Sequence, residues 1–277
     1  MRKSFITTAV LGALAAPSFV FAAETAPASD LTVAYNVGLY SQYIFRGLTQ
    51  TDRKPALQGG VDLTHSSGFY LGAWGSNISW LKDPNGPTAT PSDTYYTKGG
   101  NLEIDLYGGF KTELGKSGIG IDVGALQYLY PGTVRGGWAK ANTTELYGAL
   151  SYGWLQAKLS GVVSKEAWGW GKPTTTDDAR GTYYAELNAN IPIGELVGGG
   201  ALKGVTGILH LARQDFRGSS NEDASYNDWK LGLQKSFDSG VNIGAYYTDT
   251  NARTDKWSYA YRNIGDATGT AYIQKTF

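Results

Sequence analysis

Few side chains in this sequence could do reactive chemistry. Cysteine is absent, which excludes thiolate nucleophiles, thiolate metal sites and disulfides. The two histidines, His65 and His210, are the bases available to a Ser-His-Asp type of hydrolase. His65 stands in the tetrapeptide HSSG beside two serines, and His210 is followed by Asp215 and Arg217. Neither spacing assembles a nucleophile, a base and an acid, because triads are brought together from distant positions. A lone histidine is more often a hydrogen-bonded wall residue, so the chain is read as a non-enzyme with no catalytic residue, metal or cofactor. NIS at 77–79 and NTT at 142–144 fit a glycosylation pattern that also occurs by chance. The glycines at 198–200 do not open a helix after a strand, as a nucleotide loop would. No segment carries the spaced acidic ladder of a calcium loop.

What remains is charge, and its meaning depends on where the secondary structure puts it. Twenty-four Lys plus Arg balance 24 Asp plus Glu over 277 residues, which leaves no basic stripe for phosphates and makes nucleic acid an unlikely partner. The 38 Gly, 19 Tyr, 9 Phe and 8 Trp argue against long helices and against disorder. Arg2 and Lys3, the apolar run through Leu14 and the small-residue end at Ala22 predict a cleaved signal peptide over 1–22. The run is too short to span a bilayer as a helix and is broken by Pro17. The predicted layout is therefore a signal peptide, a flexible segment at 23–30, and one unit over 31–277.

That unit alternates with period two. Leu31, Val33, Tyr35, Val37, Leu39, Tyr43 and Phe45 share one face, and Leu102, Ile104, Leu106 and Phe110 repeat the pattern opposite Glu103, Asp105, Tyr107 and Lys111. The same test finds strands near 56–64, 69–80, 119–130, 144–152, 154–164, 182–191, 204–213, 226–236, 241–250 and 269–277, twelve in all. Most have the length a tilted strand needs to cross a membrane. Connections alternate long and short, with 192–203 the exception among the short ones. Phe69, Phe110, Tyr152, Phe237 and Phe277 fall beside the short turns; Tyr43, Phe45, Tyr183, Trp229 and Tyr247 fall near the long loops. Two aromatic girdles on an apolar face predict an all-β, antiparallel, up-and-down transmembrane β-barrel with short periplasmic turns and long extracellular loops.

Parity then sorts the charges. Asp62, Glu103, Asp105, Glu113, Asp122, Glu145, Glu186 and Asp228 face inward with Lys111, Lys158 and Lys230, and Arg46 is placed at the outer rim. In a water-filled pore this acidic wall gives a modest cation preference; in a dry one the charges pair across strands for stability. Both readings stay open. Twelve strands enclose a lumen between the filled eight-stranded barrels and the open sixteen-stranded ones, so a narrow or partly blocked channel is expected. The loops at 81–100 and 165–181, the second with Trp168, Trp170, Asp177, Asp178 and Arg180, are read as sugar-binding, pore-capping or simply packed segments.

The stretch YSQYIFRGLTQTDRKPALQGGVDLTHSSGFYLGAWGSNISW, from Tyr40 to Trp80, resembles the start of the TorF-type porins, in which S-x-Y-x-F-R-G, T-x-x-x-P-A-x-Q-G and G-F-Y-x-G-x-W recur. NLEIDLYGG at 101–109 and the closing KTF are similar to later blocks of that family. The resemblance implies a bacterial outer-membrane barrel with a pore role, and supplies no catalytic residue or defined substrate. The expected function is passive diffusion of small hydrophilic solutes or ions. The alternatives are a closed barrel for surface binding and an outer-membrane hydrolase. Expected partners are outer-membrane lipid and lipopolysaccharide, small solutes, and the barrel-assembly machinery, reached through the C-terminal Phe277. Lys275 on the predicted lipid side departs from an ideal terminal strand but is close enough to the interface to snorkel.

Overall fold

A computed structural model describes residues 30–86, 88–170 and 178–277. The expected signal peptide, most of the flexible segment and Asp177 lie outside the described residues. Twelve long strands form one closed antiparallel barrel: β1 (Leu31–Tyr40), β2 (Ala56–His65), β3 (Phe69–Asn77), β4 (Leu102–Glu113), β5 (Ile119–Leu129), β6 (Thr143–Tyr152), β7 (Leu155–Val162), β8 (Tyr183–Ile191), β9 (Val205–Asp215), β10 (Tyr226–Ser236), β11 (Val241–Thr250) and β12 (Thr268–Thr276). Each strand pairs with its sequence neighbours, and β1 pairs with β12 to close the ring. That seam runs only from Asn36 opposite Thr276 to Tyr40 opposite Tyr272, whereas β1 and β2 are in register along the whole of both strands. No described helix is long and apolar enough to cross a membrane; the crossing is made by strands.

Alternation decides which way each side chain points. On β1 the odd residues Leu31, Val33, Tyr35, Val37 and Leu39 are exposed, while Gly38 and Tyr40 are buried inside. Leu71, Leu150, Leu159, Leu211, Leu231 and Ile273 continue the outer apolar band around the barrel. An aliphatic side chain exposed on every strand is costly in water and favourable against hydrocarbon. At the short-turn rim Phe69 packs on Phe110 with ring centroids 5.0 Å apart, and Tyr152, Phe237 and Phe277 are exposed. Trp229 packs on Tyr247 toward the other rim, at 5.8 Å. Lys275 reaches back to donate to the carbonyl of Ser239 in the neighbouring turn, and its ammonium lies over the Phe277 ring. The exceptional connection at 192–203 contains one helical turn, Ile193–Leu196, and a 3-10 turn, Gly200–Leu202.

The first strand corrects the predicted girdle. It ends at Tyr40, and the chain then forms a small hairpin, Ile44–Phe45 against Leu48–Thr49. Arg46 and Gly47 both take positive φ, 47° and 79°, which is the geometry of a tight two-residue turn. The reversal carries Tyr43 and Phe45 into the interior, where Tyr43 is fully buried, so neither belongs to the lipid-facing girdle. For the same reason Arg46 is not a rim residue. Strand β3 also stops earlier than its periodicity predicts, at Asn77, and Ile78 and Trp80 are buried in the loop that follows. Their position on the inward face reflects loop packing inside the mouth.

Candidate functional site

The inward face explains why glycine and tyrosine are both so abundant. Along one row of the wall, Asp62 on β2 lies opposite Gly72 on β3, which lies opposite Tyr107 on β4. The Tyr107 ring crosses the glycine and donates to Asp62 at 2.6 Å. A Cβ on Gly72 would stand 2.3 Å from that ring, so only glycine leaves the groove open. The pattern recurs where Tyr272 on β12 crosses Gly244 on β11 to donate to Gln234 on β10, also at 2.6 Å. Tyr70 reaches Asp122 on β5 in the same way, at 2.6 Å, and its hydroxyl meets that of Tyr147. Lumenal lysines lie over these rings: Lys158 over Tyr147 at 4.4 Å, Lys230 over Tyr246 at 4.7 Å and Lys111 over Tyr70 at 5.7 Å.

Nearer the long-loop rim the wall is joined by the inward hairpin. Arg46 donates to both oxygens of Glu145, at 2.8 and 3.0 Å, and to Gln214 at 2.8 Å. Its guanidinium also lies within 5 Å of the Phe45, Trp168 and Tyr184 rings. Both partners of the Arg46–Glu145 pair are buried. Tyr43 donates to Glu103 at 2.7 Å and Tyr128 to Glu145 at 3.0 Å. One residue of the wrong chemistry here would leave a buried charge unpaired, which is the costly arrangement.

His210 sits in the same belt. Its Nδ1 donates to Asn188 at 2.6 Å, and its Nε2 lies 2.9 Å from the Tyr184 hydroxyl and 3.1 Å from Asp228. Glu186 is 3.8 Å from Nδ1. Its described hydrogen-bond partners include an acid but no serine. His65 instead contacts Ser67 in the exposed turn after β2. Of the parity-sorted residues, Asp62, Glu103, Asp105, Asp122, Glu145, Glu186, Asp228, Lys111, Lys158 and Lys230 all face the lumen. Glu113 does not: it is exposed at the end of β4 and accepts from the Gly118 amide, closing the turn. The expected inward placement fails for Glu113 because the wall has ended by that point.

Above this belt the long loops converge over the mouth. Trp80 packs edge-on against Tyr130 and Tyr259, and near Tyr95; Trp170, Phe216 and Trp257 form a second cluster, with Tyr226 against Trp257. A two-stranded antiparallel pairing of Tyr96–Gly99 with Gly132–Val134 ties two loops together. Burial raises the phenol of Tyr95, with Tyr259 and Tyr96 adding to it, and burial alone raises that of Tyr259. The aromatic side chains of 165–170 are thus packing residues. The sequence carried a hint of this layer: Tyr43, Ile78 and Trp80 lie beyond the last residue that a spanning strand needs.

A closed, even-stranded up-and-down barrel with a leucine-rich outer band and a charged interior is a transmembrane β-barrel of the bacterial outer-membrane type. Over residues 24–277 the chain matches a family model described as a bacterial protein of unknown function, Gcw_chp, and it belongs to that family. Its fold is similar to that of the KdgM porin, with a TM-score of 0.46 and 10% identity over 88% of this chain and 98% of that one. It is also similar to OprD of Pseudomonas aeruginosa (0.40, 12%, 91% and 68%) and to OccAB1 of Acinetobacter baumannii (0.44, 12%, 91% and 66%). No curated protein sequence matches it.

Proposed function

We propose that the protein is a porin-like outer-membrane channel of the TorF type, passing small hydrophilic solutes or ions by diffusion, with its outer half narrowed by the hairpin at 44–49. The observation that supports this is the polar lower lumen. Asp62, Lys111, Asp122, Lys158, Asn188, Gln234 and Asn242 line it, the polar wall that a path for hydrophilic solutes requires. In the lower lumen Asp62 and Asp122 are balanced by Lys111 and Lys158; over the whole inward face Glu103, Asp105, Glu145, Glu186 and Asp228 against Arg46 and Lys230 leave an acidic excess, which favours cations. In this reading the chain is exported by its first 22 residues, Phe277 is read by the assembly machinery, and the girdles and outer band contact phospholipid and lipopolysaccharide.

Planar-bilayer recording of wild type and of a variant in which Ile44–Thr49 is replaced by a Gly-Ser linker tests the proposal. Wild type should give small discrete steps with a zero-current potential of cationic sign, and the variant larger steps. If a variant shown to be folded stays silent, the channel reading fails. The second reading, a closed barrel used for surface binding, is favoured by the aromatic layer of Trp80, Tyr95, Trp257 and Tyr259 across the mouth.

A further inference from the structure

Most lumenal carboxylates have an evident partner: Asp62, Asp122 and Glu103 a tyrosine hydroxyl, Glu145 an arginine, Asp228 a tyrosine and a histidine. Asp105 is different. It is 0% exposed, and neither of its oxygens has a hydrogen-bond partner among the described residues. Glu103, two residues earlier on the same face of β4 and also 0% exposed, accepts from Tyr43 and lies against the buried Tyr130 hydroxyl, while its Oε2 makes no bond of good geometry. The charges that act on Asp105 are those of Glu103 and Glu145, both of its own sign. The nearby cation, Arg46, is committed to Glu145 and Gln214. Trp74 and Tyr128 stand opposite Asp105 on the flanking strands and bring no positive charge. A carboxylate buried as deeply as Asp105, with no hydrogen-bond donor and a second carboxylate beside it, is among the most expensive arrangements in a protein.

We infer that Glu103 and Asp105 form a binding site for one hard divalent cation of the calcium type, held between the two carboxylates below the inward hairpin. Residues i and i+2 of a strand lie roughly 6.6 Å apart, and carboxylate oxygens bind calcium at about 2.3–2.6 Å, so one ion can bridge the pair. No group of three or more His, Asp and Glu side chains suited to a metal is present among the described residues. Two carboxylates, which offer only hard oxygen ligands, suit a cation of the calcium type and not a transition metal that prefers nitrogen or sulfur. Tyr43 joins the site to the hairpin, because the carboxylate it donates to is one of the two ligands. The site does not depend on the barrel conducting.

The test uses the barrel refolded in lipopolysaccharide-free micelles and stripped with EDTA. The unfolding midpoint, followed by heat-dependent gel migration and tryptophan fluorescence, is measured against calcium chloride, with sodium chloride at matched ionic strength as control. Wild type should gain several degrees in millimolar calcium and little in sodium. Asp105→Asn should be at least as stable as stripped wild type and should no longer respond to calcium. Equilibrium dialysis of wild type with radioactive calcium should saturate near one ion per chain. If Asp105→Asn fails to fold, Glu103→Gln and the dialysis decide the question in its place. A calcium response no larger than that of sodium, an Asp105→Asn barrel that keeps the full response, or no bound calcium in dialysis would each overturn the site.

Discussion

Individual residues in this barrel act through what they cross and cap. Arg46 holds Glu145 in a buried pair, so Arg46→Ala should cost about 3–5 kcal/mol by leaving that carboxylate alone. The double variant Arg46→Met, Glu145→Leu should recover most of the loss, and denaturant melts of the three proteins in micelles compare them directly. Tyr107→Phe removes one hydroxyl that donates to a carboxylate and should cost about 1–2 kcal/mol in the same melts. Gly72→Ala should cost more than its small size suggests, because the added methyl displaces the ring that makes this bond. The carboxylates themselves were legible from the sequence, since parity alone turns Asp62, Glu103, Asp105, Asp122 and Glu145 inward. Their partners were not: a tyrosine that reaches across a glycine to a third strand depends on strand register, which alternation does not specify.

At the scale of elements, period two and loop length suffice to place the strands, because a membrane strand repeats one constraint over its whole length. The chain between β1 and β2 obeys no such constraint. Tyr43 and Phe45 continue the odd-numbered apolar pattern of Leu31 to Leu39 but turn inward, since two positive-φ residues reverse the chain before it leaves the wall. Gly47 is the fixed point of that reversal. A side chain there meets Thr250 at 2.4 Å and Asp228 at 2.7 Å in addition to its unfavourable φ. Gly47→Val should therefore withdraw the hairpin without unfolding the barrel. The expected readout is larger bilayer conductance with gel migration still that of a folded barrel; unchanged conductance would show that the hairpin does not limit the path.

For the molecule as a whole, the delivery role proposed for Phe277 is separable from folding. Its backbone bonds Tyr35 at the seam in both directions, while its side chain is exposed. Phe277→Ala should consequently refold in micelles as wild type does, yet accumulate less in outer-membrane fractions of an expressing cell. Equal accumulation would mean that the terminal ring is not read. The seam itself has a mechanical meaning. Strands β1 and β2 share a full-length ladder, but β1 and β12 share one only from Asn36 to Tyr40, supplemented by the Tyr35–Phe277 bonds. Under tension applied at the chain ends the barrel should therefore part along this line first, releasing β1 from β12 at low force while the other strands stay locked to their neighbours.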